Sequence, residues 1–344
     1  MQNELVTPGK LLKPDGKLSQ VGWSPQPVLE CNLENANFYP LRMLQRFRLK
    51  RWDYYAIFTP HHFFSATISN LGYAGNIFVY ILDLDIGELH EEGLVIPLGK
   101  GILLPQDSTS GETVFEDARA KLHFQVLQGG RHLSISWPGF NQGRGIQTDL
   151  MLYQQPDHES MTIVIPIGKQ RFYYNRKINC LPAEGSIKYG NLTIDVSPDT
   201  SLGSLDWGRG VWEYKSYWNW ASASGYLHDG RSIGLNFGCG FGDLSAATEN
   251  CLILNGRLSK LEQVTFDYDP HNYMRSWRFT SPDDRVQLEF VPFKERIAIT
   301  NLGIIYSEVH QMFGKYAGYV QLNGGEMIHL DQIVGFAEEH HARW

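Results

Sequence analysis

Hydrophobic and polar residues alternate along much of this chain, and short turn signals break the alternation at close intervals. In 285–290, Val286, Leu288 and Phe290 share one face, while Arg285, Gln287 and Glu289 share the other. That period of two predicts a strand with one wet side. Gly129-Gly130, Tyr189-Gly190-Asn191, Asp229-Gly230, Asn255-Gly256 and Asn323-Gly324-Gly325 each sit between two such runs. These residues reach positive φ cheaply, as tight antiparallel turns require, so each site predicts a hairpin. The best helical candidate, 41–51, leads directly into 52–58, which reads as a strand. Many short antiparallel strands with almost no helix predict an all-β barrel or sandwich, not a nucleotide-binding βαβ sheet. Turn residues cluster over 181–199, and 344 residues suit two β domains better than one very large sheet. The expected division is 1–185 and 186–344. Pro8, Pro14, Pro25 and Pro27 make the first ~40 residues an extended arm.

Charge narrows the function classes. Thirty Lys and Arg against 37 Asp and Glu give a net charge of -7, without the basic stripe that nucleic-acid binding needs. Charged residues are 19% and hydrophobic ones 42%, which argues against long disorder. No apolar run reaches the ~18 residues of a membrane span, and the start carries no secretory pattern. Cys31, Cys180, Cys239 and Cys251 form no CxxC pair, and a chain of this size needs no disulfide framework. The expectation is a reduced, cytoplasmic protein of undetermined oligomeric state. Nine Trp, 17 Tyr, 18 Phe and 34 Gly point to twisted sheets and large apolar cavities.

The candidate chemistry concentrates in 204–225. On an unbroken strand, Trp212, Tyr214, Trp218 and Trp220 share one face through their even spacing. Such a wall either lines a cavity for an apolar ligand, where π-faces stabilise cationic character, or fills a barrel core. Asp206 is either an acid whose pKa is raised beside the wall or, with Arg209, a structural corner. In 236–250 a GxGxG follows a hairpin and opens no helix, so bends and close backbone approach fit it better than a dinucleotide. Asn236, Glu249 and Asn250 flank it; Glu249 is a buried acid or base, or a buried hydrogen-bonding group. His310 is a candidate for setting a proton donor in position, or a structural histidine. No HxxxH, HExxH or GxSxG occurs, so neither a metal site nor a serine nucleophile is expected. The basic run 42–51 reads as a solvated face or a contact for an anionic headgroup.

Several separated blocks together resemble a known family. They are Trp52-Asp53-Tyr54-Tyr55, Ser69-Asn70-Leu71-Gly72-Tyr73-Ala74-Gly75, Asp206-Trp207-Gly208-Arg209-Gly210-Val211-Trp212, Ala247-Thr248-Glu249-Asn250 and Phe336-Ala337-Glu338-Glu339-His340. With Leu11-Leu12-Lys13-Pro14-Asp15-Gly16-Lys17-Leu18, they resemble the bacterial family known as domain of unknown function 2804. More distantly, the chain is similar to the lipocalin-like group of carotenoid hydratases (hydroxyneurosporene synthases) and tocopherol-cyclase-like proteins. That likeness implies two lipocalin-like, calycin-like β domains around a pocket for an isoprenoid or other lipophilic molecule. Some members of the group protonate an alkene and then add water or close a ring. In the hydratases an Asp-His pair shortly precedes Trp-Gly. Here Ser204-Leu205-Asp206 precedes Trp207-Gly208, so the resemblance carries over only Asp206.

Two functions fit. The first is a cofactor-independent cyclase, hydratase or isomerase in which Asp206 or Glu249 donates a proton. Arg209, Asn250 or His310 would position that acid, and Trp212, Tyr214, Trp218 and Trp220 would fold the substrate. The second is a carrier for a hydrophobic small molecule with the same pocket and no chemistry.

Overall fold

The computed structural model describes residues 2–301 and 303–344. Nearly every regular element is a strand, and two curled antiparallel sheets divide the chain. The first sheet contains thirteen strands among the described residues. At its centre lies Leu202–Val211, paired with Leu49–Phe58 on one side and Phe172–Tyr189 on the other. All ten residues of Leu202–Val211 are buried, because both of its faces are covered. The second sheet has nine strands among the described residues. Its middle is formed by Lys215–Tyr226, Met327–Arg343 and Tyr306–Gln321.

Each expected hairpin forms. Gly130–Trp137 folds back on Lys121–Leu127, and Leu192–Val196 on the end of Phe172–Tyr189. The turns at Gly230, at Asn255 and Gly256, and at Gly325 adopt positive φ and join paired strands. The helical candidate is only a 3-10 turn, Arg42–Phe47, before the strand that starts at Leu49. Its burial is confined to Gln45, whose side chain accepts from Phe38 N and Tyr39 N and donates to Ala36 O. Without an apolar stripe to bury, a longer helix has little to stabilise it. The hand-over between sheets is at 212–214, between Val211 and Lys215. The segment 181–199, where turn residues cluster, lies within the first sheet.

The three largest apolar clusters among the described residues follow from this arrangement. One lies inside the first sheet around Tyr55, Leu205 and Trp207, and one inside the second around Trp277, Phe279 and Phe290. The third joins the two sheets through Tyr54, Phe63, Tyr80, Trp220, Phe313 and Phe336. The N-terminal arm reaches across both halves. Pro25 O accepts from Ser160 N in the first, and Asn3 N donates to Ala246 O in the second. Among the described residues no helix is long and apolar enough to cross a membrane.

Candidate functional site

Strand period decides what meets between the sheets. On the first sheet, cross-strand neighbours form rows that share one face. One row reads Lys177, Asp206, Tyr54, Thr67 and Phe78. The next, two residues along, reads Asn175, Gly208, Trp52 and Ser69. Gly208 is required there: a Cβ would overlap the Trp52 indole, and its absence lets that ring lie across the strand. The second sheet answers with a row of Trp220, Glu338, Gln311 and Arg296, and another of Trp218, His340 and Val309.

Between these rows is a cavity of about 730 Å³. Aromatic rings wall it. Trp212 packs against Trp52, Trp218, Phe241 and Trp344 with centroids 5.0–5.8 Å apart. Tyr173 stacks on Trp52 at 6.0 Å. Aromatic faces of this kind suit an apolar ligand and any cationic character formed on it.

The floor of the cavity is ionic. Lys177 Nζ lies 3.3 Å from Asp206 Oδ2, 3.6 Å from Glu249 Oε2 and 3.7 Å above the Trp220 ring. Asn175 Nδ2 donates to Asp206 Oδ1 at 2.6 Å. Glu249 is packed against the bare backbone of Gly238, where a Cβ would collide with its carboxylate. Burial pushes the Glu249 pKa up, Lys177 opposes that shift, and Asp206 adds to it. Across the cavity, Glu338 Oε1 accepts from Trp218 Nε1 at 3.2 Å, and Oε2 from Gln311 Nε2 at 3.1 Å. Burial drives Glu338 up to about 7; Trp218, Arg296 and Lys177 oppose the shift, and Asp206 adds to it. Arg296 is occupied by Glu91, at 2.9 and 2.5 Å. Lys177 is thus shared among three carboxyls, Asp206, Glu249 and Glu338. The crowding of acids favours the protonated form of Glu249 and Glu338, both of which are shifted up. His340, its ring tilted against Trp218 with centroids 3.9 Å apart, is held neutral, its pKa brought down to about 3 by burial and then by His341 and Arg296.

Of the residues singled out from sequence, Asp206, Glu249, Trp212, Trp218 and Trp220 line this cavity. Asn236 stands directly behind it: it accepts from Trp220 Nε1 at 2.7 Å and donates to Glu249 O at 2.8 Å. The other four lie elsewhere. Arg209 is three residues from Asp206, so the pleat turns it to the opposite face, where it pairs with Asp53 at 3.0 Å. Tyr214 falls in the break between strands; it is exposed, and its hydroxyl donates to Ile304 O at 2.6 Å. His310 alternates with the cavity-facing Val309 and Gln311, so it faces away, between Glu295 at 2.7 Å and Glu308 at 3.2 Å. Asn250 is a backbone clamp: it accepts from Gly238 N at 2.8 Å and donates to Glu262 O at 3.3 Å. Lys177, Gln311, Arg296 and Glu338 escaped sequence reasoning. Only Glu338 carried a local signal, as one of two adjacent acids in an otherwise buried run. Among the described residues no group of three or more His, Cys, Asp or Glu is placed to hold a metal ion.

The sequence matches the profile of one family, domain of unknown function 2804, over residues 2–344. No curated protein matches it. Among solved structures, an AttH-type protein of Nitrosomonas europaea is 15% identical, with 88% of this chain and 96% of that one covered at a TM-score of 0.51. That likeness is one of fold, and it is lipocalin-like. Kievitone hydratase of Nectria haematococca is 11% identical, with 97% and 98% covered and a TM-score of 0.44. CghA with Sch210972 is 10% identical, with 86% and 88% covered and a TM-score of 0.43.

Proposed function

The chain belongs to this family, whose description assigns no activity, and from its site we propose a cofactor-independent acid-catalysed cyclase, hydratase or isomerase for a terpenoid or other lipophilic substrate. The observation that carries the reading is Glu338, a carboxyl with a pKa of about 7 on the wall of an aromatic cavity. A group so poised is half protonated at neutral pH, which suits a general acid. Its O–H donates to an alkene or carbonyl carbon chain held between the sheets, forming a new C–H or O–H bond. Positive charge then develops against the faces of Trp218 and Trp220, with bulk water kept out. Water or a second alkene captures the cation, or a neighbouring C–H bond gives up its proton. Asp206, ion-paired with Lys177, accepts the proton released, and Glu249 stands beside it as the second candidate. Asp206 and Glu249 thus remain in the mechanism, while the donor moves to Glu338.

The test begins with organic extraction of the purified protein and mass spectrometry of whatever it retains. That compound is then incubated with the protein in deuterated water. Deuterium in a product supports proton transfer; a retained ligand that never exchanges or reacts makes the protein a carrier. Glu338→Gln keeps the shape and one of the two accepted hydrogen bonds but loses the acidic proton, and should cut turnover at least about a hundredfold while still retaining the ligand. Undiminished turnover in that variant removes Glu338 as the acid.

A further inference from the structure

Four residues along the strand from the acidic floor, a buried cation stands directly behind the cavity wall. Lys50 stands opposite Gly210, on the face that also carries Trp52 and Tyr54. At about 3.3 Å per residue, it lies about 13 Å from the row of Tyr54 and Asp206. Its side chain is fully buried. The ammonium sits 4.4 Å from the Tyr73 ring and 4.9 Å from the Trp344 ring, and both rings line the cavity. It makes a hydrogen bond to Leu71 O at 3.2 Å. Among the described residues no carboxylate pairs with it. Burial, and then the nearby Arg48 guanidinium, bring its pKa down to about 6.

Three more polar groups at this end are buried without a partner: the indole N–H of Trp212, that of Trp344 and the Tyr73 hydroxyl. Trp212 Nε1 lies 3.4 Å from the position a Gly210 Cβ would take, which is the side of the sheet that Lys50 occupies. All of these groups donate, and the only acceptor they add is the Tyr73 oxygen. A buried donor left unmade is costly, and an unpaired ammonium more so. An oxygen anion with free lone pairs satisfies the whole set at once. A carboxylate is the smallest oxygen anion that does so: it draws a proton onto Lys50, and Arg48, whose Nε is also buried without a partner, adds to the positive field.

Resting on the reading of the cavity as a lipophile site, we propose that the corner of Lys50, Tyr73, Trp212 and Trp344 receives the carboxylate of the substrate. The substrate class is then a long-chain or terpenoid acid, anchored by its carboxylate, with its reacting carbons beside the row of Tyr54 and Asp206, roughly 13 Å away along the strand direction, where Glu338 faces them from the second sheet.

The experiment is a fluorescence titration of the purified protein with cis-parinaric acid and, separately, with its methyl ester. The acid should bind at least about tenfold more tightly than the ester, since one charge-assisted contact is at stake. Lys50→Met should bring the two affinities together by weakening the acid alone. Trp344→Phe, which removes one N–H and little volume, should narrow the gap several-fold and serves if Lys50→Met does not fold. Equal binding of acid and ester by the wild-type protein overturns the carboxylate site and leaves the lipophile cavity standing. Failure of both probes to bind overturns the cavity reading and this proposal with it. Dodecyl phosphate displacing the probe more strongly than dodecanoic acid overturns the choice of carboxylate.

Discussion

The strand pair Leu49–Phe58 and Leu202–Val211 carries a buried ion cluster on each of its faces. On the odd-numbered face, Arg209 meets Asp53 at 3.0 Å and gives its remaining donors to Trp52 O, Gly208 O and Pro105 O. Thr113 donates to the other Asp53 oxygen. Each nitrogen of the Arg209 guanidinium has an acceptor and the pair is sealed inside the first sheet, although Arg51, directly across the strand pair, adds a second cation whose Nε is buried without a partner. On the even-numbered face, Lys177 faces Asp206 and Glu249, with Glu338 across the gap. There Glu249 Oε2 and Asn175 Oδ1 have no hydrogen-bond donor. Burial is alike on the two sides, so burial does not distinguish structure from function. What differs is the pairing and the space around it: Arg209 and Asp53 are matched one to one and closed in, whereas Lys177 is shared between Asp206 and Glu249 beside a cavity.

The comparison is broken most forcefully at Asp53. Asp53→Asn leaves Arg209 charged in a sealed core and should cost about 3–5 kcal/mol in urea unfolding. Asp206→Asn leaves Glu249 beside Lys177, and its cost should be at most about half of that. Equal losses would remove the distinction between the two faces. Next in size is a pH effect at Glu338. Its pKa is about 7 folded against 4.5 as an ordinary glutamate, so the folded state binds the extra proton between those values. The stability it adds is fully present below about pH 4.5 and is lost as pH rises through about 7. Relative to Glu338→Gln, the wild-type protein should lose about 3 kcal/mol of stability between pH 4 and pH 8. Unfolding curves for the two proteins at both pH values give that difference; parallel behaviour would mean that Glu338 is ionised throughout. The smallest effect is expected at Tyr214, whose hydroxyl lies at the surface. Tyr214→Phe should stay within about 0.5 kcal/mol and leave ligand retention unchanged, unlike Trp212→Ala on the cavity wall.

Local physics was legible in the sequence, and pairing was not. The hairpins at Gly129-Gly130, Asp229-Gly230 and Asn255-Gly256 were readable because a two-residue turn carries its own backbone signature. The even spacing of Trp218 and Trp220 did put both on one face, but Tyr214 did not join them because the strand breaks at 212–214. Arg209 was misjudged although the pleat alone separates it from Asp206: an odd offset on a strand means opposite faces. Lys177 and Glu338 belong to a different order of difficulty. Their meeting with Asp206 and Glu249 depends on which distant strands pair and in what register, and no local pattern encodes that. The glycines of 238–242 were read as permitting close approach; at Gly238 the approaching group is Glu249 itself.

The central place of Leu202–Val211 has a consequence for biosynthesis. The strands from Leu49 to Pro97 form one ribbon, and those from Glu112 to Tyr189 another; Leu202–Val211 is the strand hydrogen-bonded to both. A nascent chain therefore holds two unjoined sheets, each with an open inner edge, until residue 211 has left the ribosome. At ~5–20 residues per second, Leu49–Phe58 waits on the order of ten seconds or more for its partner. Exposed edges of that kind recruit other chains, so a fragment ending near residue 185 should aggregate, and chaperone demand should peak before the second half of the protein is made.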